Sequence, residues 1–143
     1  MILAVDPGRD KCGLAVLTPD GEIVDRRVVA ALEVESHILT LTARHHISQI
    51  LLGNSTASAR WHKQLLVWLP DTPLEVVDEA GSTWEARALY WQANPPRGWR
   101  RLVPLSLQAP PEPIDDFAAV VLARRHLQGE IRNPKSEIRN KFK

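Results

Sequence analysis

The chain has 143 residues, 44% of them hydrophobic, and a formal net charge of +1. That length suits one domain with a real core, and apolar runs of about five residues are too short to cross a membrane. A single cysteine, Cys12, excludes an internal disulfide and a cysteine-rich zinc site. No basic stretch of the kind that opens a signal peptide precedes Ile2, so the cytoplasm is the expected compartment.

Residues 2–6 (Ile-Leu-Ala-Val-Asp) read as a fully buried strand, and 12–18 as a second. Pro19-Asp20-Gly21 is a hairpin signal, followed by an alternating third strand over 22–29. Glu33 to His46 reads as a helix with Val34, Ile38 and Leu41 on one face. The adjacent His45 and His46 end it, where cations suit the helix dipole. Ile47 to Leu52 is a short strand closed by Gly53. Ser58 to Leu69 is a helix with Trp61, Leu65 and Trp68 in a stripe, stopped by Pro70. Leu74 to Val77 is a fifth strand that runs into Asp78 and Glu79. Ser82 to Ala93 is a helix with capping-box spacing between Ser82 and Glu85, and with Trp84, Ala88 and Trp91 as its apolar face. Residues 94–114 hold six of the eleven prolines and lack regular structure. Asp115 to Gln128 is a last helix, with Ala118, Val121 and Leu122 inward. Three hairpin-joined strands followed by strands alternating with helices give an α/β fold, a five-stranded mixed sheet with helices on both faces.

Residues 1–128 form the domain. Residues 129–143 repeat Glu-Ile-Arg-Asn once and read as a polar, basic, disordered tail. That tail carries five Lys/Arg against two Glu, a sum of +3, which leaves −2 for the domain. No domain-wide basic field draws in nucleic acid, so phosphates would have to meet local Arg/Lys clusters or bound metal.

Acids stand at three element ends: Asp6, the pair Asp78-Glu79, and the pair Asp115-Asp116. With the first and fifth strands parallel, their ends share one sheet edge, which the start of the last helix can reach. Carboxylates gathered there repel one another unless a divalent cation lies between them. Mg²⁺ and Mn²⁺ take such hard oxygen ligands, and two ions about 4 Å apart can clamp both oxygens of a phosphodiester displacement. Taken singly, Asp6 before Pro7-Gly8 also fits plain turn chemistry, Glu79 a solvated loop, and Asp115 a helix cap.

Three segments carry a resemblance to a known family. DPGRDKCGLAV (6–16) resembles the D-x-G-x-x-x-x-G-x-A-V opening of the RNase H-like nucleases of the RuvC/YqgF group. DEAGSTWEAR (78–87) resembles the D-E-R-x-[ST]-T-x-E-A-R segment of the YqgF branch, a group of Holliday junction resolvase and pre-16S rRNA nuclease type. IDDFAAVVLA (114–123) resembles that branch's late V-D-x-x-A-A-x-x-x-L helix. The matches fall in the right order on the right elements and span most of residues 1–127.

The resemblance implies an RNase H-like fold and a Mg²⁺- or Mn²⁺-dependent nuclease acting on structured DNA or RNA, as a monomer or homodimer. By position, Asp6 would bridge the metals, Glu79 would be the middle acid and Asp115 the last. Asp116 has no fixed counterpart and joins them as a supporting carboxylate or helix-start charge. Gly8 would allow the tight turn, Gly13 would clear space, and Arg9 and Thr83 would lie toward substrate. The family's Arg after Asp-Glu is Ala80 here, and a longer connection carries Arg97, Trp99, Arg100 and Arg101, a cluster able to grip phosphates and stack on bases. The alternatives are a non-catalytic nucleic-acid- or protein-binding domain of the same fold and, from the shared D-x-G opening, an ATP-binding domain of the sugar-kinase and heat-shock ATPase class.

Overall fold

The computed structural model describes residues 1–55, 57–77, 82–96, 98, 102 and 114–132, with backbone alone for Ser82–Trp84 and Glu130–Arg132. In chain order the elements are β1 (Ile2–Asp6), β2 (Lys11–Leu17), β3 (Ile23–Ala30), a 3₁₀ turn (Ala31–Glu33), α1 (Val34–Arg44), β4 (Gln49–Gly53), α2 (Ser58–Trp68), β5 (Leu74–Val77), α3 (Ser82–Ala93) and α4 (Asp115–Arg132). The strands form one sheet in the order β3-β2-β1-β4-β5. β1 runs antiparallel to β2 and parallel to β4, and β4 runs parallel to β5. This is the mixed five-stranded sheet expected from the sequence.

β1 is the central strand, which explains its unbroken apolar run: both faces are covered. By the two-residue period of a strand, Leu3 and Val5 point to one side, with Cys12, Leu14 and Val16 of β2 and Ile50 and Leu52 of β4. There they meet Val34, Ile38 and Leu41 of α1 and Trp61 and Leu65 of α2. Ile2 and Ala4 point to the other side with Ala15, Leu17 and Leu51, and meet Ala119, Val120 and Ala123 of α4. α3 lies against α4 through Ala86, Tyr90, Trp91, Phe117 and Val121.

The stripes read for α1 and α2 are the buried ones. α2 ends where Leu69 leaves helical geometry (φ −132°, ψ 67°), as a residue before proline should. Three details depart from the sequence reading or add to it. α3 is rotated, so that Ala86 is buried while Ala88 is exposed, because the helix packs on α4 and not on the sheet. Glu85, whose capping partner Ser82 is described by its backbone alone, accepts from Arg125 of α4, with contacts of 3.2 and 2.7 Å. α4 continues past Gln128 to Arg132, so four residues assigned to the tail are helical. Gly129 costs a helix only about 1 kcal/mol relative to alanine, too little to stop it.

Candidate metal centre at the carboxyl edge of the sheet

β1 ends on Asp6, and the chain turns at once through Pro7-Gly8 into β2. The turn is tight: a Cβ on Gly8 would overlap the carbonyl of Lys11. It is also anchored from α2, where the indole N–H of Trp61 donates to the Gly8 carbonyl at 3.0 Å. The Ser55 hydroxyl reaches the Pro7 carbonyl at 3.5 Å. Asp6 pairs in register with Gly13, and strand alternation puts both on the α4 side, in line with Ala4 and Ala15.

Gly13 is where the site is assembled. A Cβ there would overlap the carbonyl carbon and oxygen of Asp115 and crowd the Asp116 nitrogen. The missing side chain lets the first turn of α4 rest on the β1–β2 pair beside Asp6. The Asp115 backbone, 109 positions from Asp6 in the sequence, thus rests against the register partner of Asp6.

The Cys12 thiol senses the charges of both acids, whereas the charges acting on Asp115 itself are those of Lys11 and Asp116. The Asp115 carboxyl is pushed above the ordinary aspartate range, chiefly by burial; the Lys11 ammonium pulls it down and the Asp116 charge pushes it up. The Cys12 thiol is raised to about 11, chiefly by burial. A backbone hydrogen bond with Gly8 opposes that rise, the charges of Asp6 and Asp115 add to it, and Arg60 opposes it. Two carboxylates and two cations therefore surround the start of β2. Lys11 lies two residues before Gly13 and so on the same face, a parity legible in the sequence once the strand is assigned. Arg60, its guanidinium carbon 5.0 Å from the centre of the Trp61 ring, lies on the opposite flank. The sequence reading named neither.

Of the two roles read for Asp116, the structure shows the one at the helix start. It is buried; its Oδ2 accepts from Arg26 of β3 at 2.8 Å and its Oδ1 accepts from the Phe117 N–H at 2.9 Å. Both oxygens are engaged in holding the start of α4.

Glu79 and Ala80 lie outside the described residues, as do Arg97, Trp99, Arg100 and Arg101. Val77, the last described residue of β5, ends at the same sheet edge as Asp6, and its carbonyl accepts from the Asn54 N–H at 2.8 Å. Thr83 is described by its backbone, in the first turn of α3, and Arg9 is exposed on the β1–β2 turn. Among the described residues no three His, Cys, Asp or Glu side chains gather to hold a metal. Asp6 and Asp115 are hard oxygen donors of the type a divalent cation takes, and Asp115 is burdened by burial and by the charge of its neighbour Asp116.

Comparisons with known proteins support the fold. A RuvC structure from Thermus thermophilus matches with a TM-score of 0.53 at 14% identity, over 90% of this chain and 96% of that one. The chain has the RNase H-like α/β fold. Protein tex of Bordetella pertussis (strain Tohama I) is 37% identical over 95 residues, which are 57% of this chain. The chain spans 12% of the length of that relative. A ROK family protein from Streptococcus pneumoniae TIGR4, in complex with sucrose, matches 66% of this chain and 38% of its own at a TM-score of 0.43, too low to carry an argument. No family model matches. Among the described residues no helix is long and apolar enough to cross a membrane.

Proposed function

We propose that this chain is a divalent-metal-dependent nuclease domain of the RuvC/YqgF kind, hydrolysing phosphodiester bonds in structured nucleic acid such as a four-way DNA junction or precursor rRNA. The observation that supports this reading is the seating of the Asp115 backbone on Gly13, the register partner of Asp6, at the carboxyl edge of the sheet. Plain turn chemistry accounts for Asp6, and plain capping for Asp115. Neither accounts for a glycine that lets the start of α4 rest on that strand pair.

In this reading Asp6 and Asp115 hold Mg²⁺ or Mn²⁺, with Glu79 as the third carboxylate. When bound, the ion supplies charge stabilisation for an in-line displacement at phosphorus. The protein's own groups do the rest. Trp61 and Ser55 fix the turn that follows Asp6. Arg9, within the β1–β2 turn, and Lys11, at the start of β2, meet the substrate's phosphates, and Arg60 adds charge from the α2 flank. They take over the attraction that the family's Arg, Ala80 here, would provide. Arg97, Trp99, Arg100 and Arg101 extend the contact to flanking nucleotides. Junction cleavage needs two coordinated cuts and hence a symmetric homodimer, whereas trimming of RNA ends needs only a monomer.

The test is a nuclease assay on four-way junctions and precursor rRNA ends, with Asp6→Asn as control and the solution mass measured alongside. Cleavage abolished by Asp6→Asn is expected; cleavage that survives it refutes the assignment. A second reading, a nucleic-acid-binding domain that does not cut, is favoured by Ala80 and by the match to a small part of a much longer protein. Nucleic-acid binding with no uptake of Mn²⁺ by the wild-type chain selects it.

A further inference from the structure

One polar arrangement near the site is built with more care than its exposure requires. Arg26 lies on β3, in register with Ala15 of β2, and so faces α4. Its Nη1 donates to Asp116 Oδ2 at 2.8 Å, between side chains 40% and 8% exposed. The same guanidinium stands over the next residue of the helix, 4.3 Å from the centre of the Phe117 ring. Phe117 is itself packed edge-on against Tyr90, with ring centres 5.9 Å apart. One cation thus grips two consecutive residues of α4, directly after Asp115.

We propose that Arg26 is a positioning residue for Asp115: by clamping Asp116 and Phe117 it sets the height and rotation of the first turn of α4 over Gly13, and with them the place of the Asp115 carboxylate beside Asp6. This rests on the metal reading above. Two features make the clamp more than an incidental ion pair. A carboxylate buried as deeply as Asp116 is costly without a partner, and an alanine or asparagine would fill that helix position without the cost. And Gly13 leaves the helix start free to slide: it removes an obstacle but provides no grip. Arg26 provides the grip, from two strands away from Asp6. Groups that orient metal ligands without touching the metal typically change affinity 10- to 100-fold when removed.

The experiment uses Arg26→Met, which keeps the stem over Phe117, Asp116→Asn, which keeps the acceptor for the Phe117 N–H, and Arg26→Lys as the conservative variant. Two quantities are read: Mn²⁺ affinity by titration, and amide hydrogen exchange at Phe117 and Ala118. In Arg26→Met and Asp116→Asn, Mn²⁺ affinity should fall at least about tenfold, while exchange in the first turn of α4 speeds up and that of β1 and β4 holds. Arg26→Lys should recover part of both. Unchanged exchange in that turn overturns the clamp whether or not Mn²⁺ binds. Faster exchange with Mn²⁺ affinity within twofold of wild type overturns the link to Asp115. Failure of the metal reading itself has a separate signature, a wild-type chain whose Mn²⁺ uptake Asp6→Asn does not weaken.

Discussion

The two faces of the sheet are built from different materials. The face toward α1 and α2 is filled by large side chains, Leu3, Leu14, Ile38, Leu41, Ile50, Leu52, Trp61 and Leu65 among them, and is dry. The face toward α4 mixes Ile2, Leu17, Leu51 and Val120 with the small residues Ala4, Gly13, Ala15, Ala119 and Ala123, and helix and sheet approach closely where the small residues meet. The first face provides stability. The second brings the backbone of α4 against the strands at Gly13, and it carries Asp6, Lys11 and the start of α4. Close approach is what seats a helix that starts on an acid against a strand pair that ends on one.

The contrast can be broken from either side. On the dry face the Cys12 thiol, held at about 11, is only about one-thousandth thiolate at pH 8. A thiol reagent should label the native chain at least a few hundredfold more slowly than the urea-unfolded chain. Comparable rates would mean that this face opens to water. Ile38→Ala, also on this face, should cost about 3 kcal/mol in urea unfolding while leaving Mn²⁺ affinity unchanged. Gly13→Ala should behave in the opposite way. The loss of stability is smaller, about 2 kcal/mol, but Mn²⁺ binding collapses because α4 is pushed off the strands. A Gly13→Ala protein that binds Mn²⁺ normally would detach the glycine from the site.

How much of this the sequence revealed depends on distance along the chain. β5 and the start of α4 could be bounded from local signals, and the stripes of α1 and α2 follow from helical spacing alone. The rotation of α3 could not be read, because its partner is another helix and not the sheet: Ala86 and Ala88 look alike until α4 is in place. The fate of Asp116 was hidden for the same reason. Its partner Arg26 is 90 residues away, and nothing local separates a carboxylate that anchors a helix from one that waits for a metal. Asp6 and Asp115 stand at element ends that local signals could bound, and the topology brings those ends to one edge.

The smallest expected effect lies at the outer side of α4. Arg125 holds the Glu85 carboxyl below its usual range, mainly by a direct hydrogen bond. A lowered value adds stability above the unfolded carboxyl's own range, and that stability is lost as pH falls through the folded value. Because Glu85 is more than half exposed, solvent screening keeps the pair to about 0.3 kcal/mol. Glu85→Gln should therefore shift the urea midpoint barely at pH 7 and not at all at pH 3. A loss above about 1 kcal/mol would show that the α3–α4 contact is held by charge, not by the Tyr90, Trp91, Phe117 and Val121 packing.

The central claim is that Asp6 and Asp115 face one cation. It is tested most directly by a crystal structure of the wild-type chain soaked in Mn²⁺, with the ion located by its anomalous scattering. The account predicts a peak within coordination distance of both carboxylates, lost in Asp6→Asn crystals soaked in the same way. An ion bound elsewhere, or a site left empty at millimolar Mn²⁺ with both carboxylates ordered, would contradict it.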